Sequence, residues 1–148
     1  MTAPLPEGQT ALDPAALDIS GAWIYTSTNH VVLSCDFPAP PGPDMSGHME
    51  IAEIGGGAVS LTLVTGATCS PDTMCIFDGA IVGNVLNVAN SATVDNEGGV
   101  ASNGLSLIFT APDRGLGSGV SSYVHPEGYR CNWGYSVTLR RPVPGEVY

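Results

Sequence analysis

Lysine is missing altogether from the 148 residues, and 4 arginines face 14 aspartates and glutamates, leaving a formal charge of −10 at neutral pH. Such a surface repels a phosphate backbone, which excludes nucleic acid as a partner. Long apolar runs are missing too, since none approaches the ~18–20 residues of a membrane-spanning helix, and no span is expected. Charged residues make up only 12% and aromatics 7%, whereas there are 19 Gly and 12 Pro. No stretch carries the apolar period of a helix, so helical folds are excluded. Catalytic signatures are absent as well: no H-E-x-x-H, no G-x-S-x-G, no phosphate loop and no G-x-G-x-x-G after a strand. Gly115-Leu-Gly-Ser-Gly119 has the wrong spacing for any of these and is expected to be a flexible turn. No cofactor is implied.

What the chain does have is short runs of Val, Ile, Thr, Tyr and Leu, parted by Gly, Pro, Asn and Asp clusters. The runs are 21–34, 45–54, 58–65, 76–82, 85–94, 100–110, 118–125 and 129–140. Gly83-Asn84 has the length and composition of a two-residue hairpin turn. Eight strands joined by short connections predict an all-β meander that closes into an antiparallel up-and-down barrel, because closure removes both exposed edges. The alternative is a two-sheet sandwich. The length fits one domain able to bury roughly 70% of its unfolded surface. We divide the chain into a flexible leader (1–18), a barrel domain (19–141) and a tail (142–148).

The four cysteines favour closure. In a closed barrel the end of the first strand lies beside the start of the last, so Cys35 can reach Cys131, while Cys69 and Cys75 flank one turn. The long bridge stabilises by about 4–5 kcal/mol in the chain-entropy description and implies an oxidising compartment. The alternatives are reduced core thiols in a cytoplasmic protein and a zinc site, for which C-x5-C has the wrong spacing. The first eighteen residues lack a basic stretch followed by an apolar one, so they are no export signal. The cysteines therefore argue for a secreted or periplasmic mature chain, with a cytoplasmic one as the alternative.

Gly21-Ala22-Trp23 at the head of the first strand, the eight-strand meander and an Arg at the end of the last resemble the lipocalins and the wider calycin group, and within it the short secreted bacterial type. The resemblance implies a ligand-holding barrel with Arg141 packed across Trp23 at its closed end, a cation–π contact. Biotin capture, as in the avidins of that group, has little support, since the chain has only 2 Trp.

Strand alternation on the parity of Trp23 and Cys35 turns Tyr25, Ser27, Asn29, Val31 and Leu33 inward, and Trp133, Tyr135, Val137 and Leu139 beside them. If Cys35 faces Cys131, Tyr25 falls opposite Arg141 and Asn29 opposite Val137. Leu105, Leu107, Phe109, Met45, Met49 and Ile51 add apolar wall. Tyr25, Ser27, Asn29, Phe109, Trp133 and Tyr135 are thus the expected ligand contacts. A small hydrophobic or amphipathic molecule, uncharged or cationic, is the expected partner, because an anion would meet the acidic field with only Arg141 to receive it.

Other polar groups read as exterior. His30 is placed opposite Glu50 and diagonal to His48 on the outer face, His125 has no evident partner, Asp95-Asn-Glu97 is a solvated turn, and Asp78 faces solvent. No metal site is expected. Three functions stay open: a lipocalin-like binding module, a cofactor-free barrel cyclase or isomerase, and a structural or surface module with a filled barrel. An inward Asp78 or His would favour the second.

Overall fold

The computed structural model describes residues 17–146, so most of the expected leader and residues 147–148 of the tail lie outside the described residues. The strands are β1 (Gly21–Cys35), β2 (Met45–Gly55), β3 (Ala58–Leu63), β4 (Ile76–Val82), β5 (Val85–Thr93), β6 (Val100–Ala111), β7 (Arg114–Val124) and β8 (Arg130–Arg140). Each pairs with the next and β8 pairs back with β1, which closes the barrel. The sandwich alternative is thereby excluded. Among the described residues, a 3₁₀ turn at Asp72–Cys75 interrupts the β structure.

The two ends differ. At one end the connections are tight: Gly83 takes a φ of 62° between β4 and β5, and Gly55, Gly56 and Gly57 all have positive φ between β2 and β3. These are backbone conformations that cost a side chain dearly and glycine nothing. At the other end the connections are long, spanning 36–44, 64–75, 94–99 and 125–129. Both disulfides, Cys35–Cys131 and Cys69–Cys75, lie at this end.

The tight end is filled. Trp23, Phe109, Ile19, Leu107, Leu86 and Leu61 are fully buried there and below the barrel's waist. Trp23 and Phe109 pack with ring centroids 5.2 Å apart, and the Trp23 indole N–H donates to the Ile19 carbonyl at 2.8 Å. The Arg141 guanidinium carbon lies 4.0 Å from the Trp23 ring centroid. Its two amino groups donate to the carbonyls of Ala22 (3.0 Å) and Asp18 (2.8 Å), tying both chain ends over the plug.

Two expectations about the strands need correction. The glycine-rich segment 115–119 is no turn; it belongs to β7, and the turn is the Pro112-Asp113 pair before it. Glycine is required on this face because a Cβ on Gly119 would run into the Tyr135 ring, one on Gly117 into the Ser106 carbonyl, and one on Gly115 would press on Phe109 at 3.2 Å. The β1–β8 register also slips. Tyr25 pairs with Leu139 rather than Arg141, and Ser27, not Asn29, faces Val137. Irregularities between Thr28 and Val31 and between Val32 and Ser34 absorb the difference, so that Cys35 still meets Cys131.

Candidate functional site

The first irregularity decides what the site contains. Asn29 adopts a φ of 56°, in the left-handed region that Asn enters more easily than most residues. Asn29 and His30 together span the place of one residue, Tyr135, on β8. An extra residue inverts the alternation beyond it. Below the bulge the odd positions Trp23, Tyr25 and Ser27 are buried; above it Val31 and Leu33 are 49% and 58% exposed. Asn29 itself is exposed. His30 takes the inward position, stacked on Tyr135 with centroids 5.0 Å apart and planes 18° from parallel. Its Nε2 lies 3.1 Å from the Ser27 hydroxyl. The expectations that Asn29, Val31 and Leu33 point inward and His30 outward are corrected accordingly.

Above this level the barrel is hollow. A cavity of about 670 Å³ opens among the long loops. Its walls are Met45, Leu63, Met74, Phe77 and Trp133, with Pro40, Pro41 and Pro43 from the β1–β2 loop along one lip. Trp133 holds that lip, since its indole N–H donates to the Pro40 carbonyl at 3.2 Å. His30, Asn103, Ser121 and Tyr135 supply the polar groups of the lining. Tyr135, Ser121 and Asn103 belong to a chain of hydrogen bonds that runs along the wall from β8 to β5, whereas His30 bonds Ser27. The Ser121 hydroxyl donates to Asn103 Oδ1 at 2.5 Å, Asn103 Nδ2 to Asn90 Oδ1 at 3.3 Å, and Asn90 Nδ2 to the Met74 carbonyl at 2.8 Å. Burial pushes the Tyr135 phenol above its ordinary value, partly countered by a hydrogen bond with Ser121. Tyr135 is therefore a neutral group at any physiological pH.

Of the six expected contacts, Trp133 and Tyr135 line the cavity. Phe109 is fully buried in the plug against Trp23. Tyr25 and Ser27 are buried beneath the floor, with the Tyr25 phenol donating to the Thr65 carbonyl at 2.7 Å. Asn90, Asn103 and Ser121 went unremarked in the sequence, although each shares the parity of a buried neighbour on its own strand: Val88, Leu105 and Gly119. His30 had no such signal, because the bulge that turns it inward is invisible to alternation.

The remaining polar groups settle as follows. His48 faces Ile24 across β1–β2 and bonds Glu50 at 2.8 Å, while His30 lies far from both, beside Gly42. His125 is not without a partner: it is buried, its Nε2 lies 2.5 Å from Glu97, and it stacks on Tyr129 with centroids 4.2 Å apart. Asp95 accepts from the Gly99 amide at 2.7 Å and from the Tyr123 phenol at 2.5 Å, which holds its carboxyl below the usual range. Asp78 is exposed on the outer face of β4. The mouth loops carry Asp36, Asp44, Asp72, Asp95, Glu97 and Glu127, while Arg114, Arg140 and Arg141 stand at the plugged end. Arg130 also stands at the mouth, and Asp18, Glu53, Asp113 and Glu146 accompany the arginines at the plugged end, so both ends carry acids and the mouth is the more acidic of the two.

Searches of protein-family models and of curated proteins find no match to the chain. Among solved structures the chain is similar to one described as the monomer form of the M. tuberculosis PknI sensor domain, with a TM-score of 0.50 and 13% identity over 99% of this chain and 96% of that one. At that identity the likeness speaks for the barrel fold alone, and that neighbour is not a lipocalin.

Proposed function

We propose that this barrel captures a small amphipathic molecule at its open end, as a binding or sensing module. The observation that carries the reading is the cavity of about 670 Å³, apolar in its walls with a few fixed polar groups at its floor, which is the usual make-up of a small-molecule site. A barrel filled throughout, as a purely structural module would be, does not account for that hollow. An anion finds only carboxylates around the mouth loops apart from Arg130, so the ligand is uncharged or cationic. The neighbour's description as a sensor domain agrees with this reading without adding to it. The lipocalin-like type is part of the proposal and rests on Gly21-Ala22-Trp23 with Arg141 across the indole. Two disulfides support an exported location, where such bonds persist.

The test is titration with the uncharged fluorophore N-phenyl-1-naphthylamine, together with native mass spectrometry of protein purified from its own host. Fluorescence enhancement that saturates at one probe per chain, or a retained small molecule, is the expected result. No saturable binding would overturn the reading.

A second reading, a cofactor-free isomerase or cyclase, is favoured by one observation: His30 reaches the cavity and can move a proton there. It predicts turnover that disappears in His30→Gln with ligand affinity retained.

A further inference from the structure

Beside the main cavity lies a second, smaller hollow of about 410 Å³, lined by Phe37, Tyr123 and Trp133 together with Ala101, Asn103 and Ser121. It shares Ala101, Asn103, Ser121 and Trp133 with the main cavity, so the two adjoin. The aromatic side chains are not scattered. Phe37 meets Tyr123 edge-on with centroids 6.3 Å apart and meets Tyr129, outside the hollow, edge-on at 5.6 Å, while Trp133 is held by its bond to the Pro40 carbonyl. Three rings around one apolar hollow, with no lysine in the chain and no arginine in the lining, make a place where a π-face can meet a positive charge. Asp36 precedes Phe37 and Asp95 accepts from the Tyr123 phenol, so the carboxylates nearest in the chain carry the sign such a charge needs. Arg130, whose amide donates to Asp36 at 2.9 Å, is the one arginine among the described residues at this end and is outnumbered by Asp36, Asp95, Glu97 and Glu127, which disfavours anions.

We infer that the hollow framed by Phe37, Tyr123 and Trp133 takes the quaternary ammonium head of a free single-chain organic cation whose apolar body lies in the main cavity. This rests on the cavity being a ligand site and adds the ligand's chemical class and orientation. Trp133 belongs to both compartments, but Phe37 lines the smaller one only, which lets the two ideas be tested apart.

The experiment is displacement of bound N-phenyl-1-naphthylamine by decyltrimethylammonium, decanol and decanoate, each below its aggregation limit, with near-UV circular dichroism to confirm the fold. The ammonium is expected to displace the probe about tenfold more tightly than the alcohol, and the carboxylate least well. Phe37→Leu keeps apolar bulk but removes the ring; it should leave decanol unchanged and bring the ammonium to within about threefold of it. An alcohol as tight as the ammonium, or an ammonium preference untouched by Phe37→Leu, overturns the inference while leaving the cavity reading intact. Failure of every compound, the probe included, overturns both. Phosphatidylcholine vesicles should not sediment the protein; co-sedimentation would show the ammonium to be a lipid headgroup and overturn the free-cation assignment.

Discussion

His30 stacks on Tyr135 because Asn29, one residue earlier, occupies a left-handed conformation that inserts an extra residue opposite it. The floor of the cavity is thus set by a backbone dihedral of a residue that never touches the cavity. Asn29→Gly should leave stability within about 0.5 kcal/mol, since glycine adopts the same conformation freely. Asn29→Val should cost about 1–2 kcal/mol, measured as a shift in urea midpoint at constant slope. Equal stability of the two variants would mean that the bulge does not depend on that conformation.

Trp133→Ala should weaken probe binding by about 1–3 kcal/mol through lost apolar contact, while the barrel still folds. Trp133→Phe should lose less affinity but also lack the hydrogen bond to the Pro40 carbonyl. The difference between the two, read by fluorescence titration, separates the wall from the lip. Unchanged affinity in a folded Trp133→Ala protein would place the ligand elsewhere.

At the plugged end, Arg141→Ala removes a guanidinium stacked on Trp23 and two hydrogen bonds to backbone carbonyls. The expected loss is about 1–3 kcal/mol in denaturant unfolding. Arg141→Lys should recover only part of it, because an ammonium cannot lie flat on the indole and reach both carbonyls. Full recovery by lysine would reduce the interaction to simple charge.

The two disulfides close loops with sequence separations of 96 and 6. In the chain-entropy description the paired Cys35→Ser and Cys131→Ser changes should cost about 4–5 kcal/mol, and the Cys69 and Cys75 pair about 2 kcal/mol. Intact mass with and without reductant checks that both bridges form, and thermal unfolding checks the order. The reverse order would point to native-state packing around the short loop.

Tyr123 donates to Asp95, which raises its phenol to about 12 and lowers the Asp95 carboxyl. A raised folded value means that this contribution to stability is complete below the ordinary tyrosine value of about 10 and fades as pH climbs toward 12. The Asp95 contribution has the opposite sense: it is complete above the ordinary carboxyl range and lost on acidification through the lowered value. Ultraviolet titration at alkaline pH should show one phenol ionising near 12 that returns toward 10 in Asp95→Asn. A titration indifferent to that substitution would show that the bond is not kept in solution.

Much of the barrel was legible. Val82-Gly83-Asn84-Val85 announces its hairpin, and the positions of Cys35 and Cys131 fit a barrel whose first and last strands meet. Alternation then gave Leu105, Leu107 and Phe109 on β6 and Val137 and Leu139 on β8 as buried. It failed where the period of two is interrupted, at Asn29, because one inserted residue exchanges the two faces of the strand until the second irregularity between Val32 and Ser34. Composition failed at 115–119, where glycines signal a turn until the rings of Tyr135 and Phe109 are known to lie over them. The His125–Glu97 contact joins two different loops, which the β6–β7 pairing sets side by side where it ends at Val100 and Val124.

The unequal ends of the molecule also bear on how such a chain can change over time. The plug of Trp23, Phe109 and Ile19 shares no residue with the loops 36–44, 64–75, 94–99 and 125–129 that rim the cavity. On the proposed reading, changes in those loops away from the Cys69–Cys75 bridge and the Tyr25–Thr65 bond alter what is recognised while leaving the plug intact. One barrel can therefore supply a lineage with many specificities, each written in the rim and underwritten by the same base.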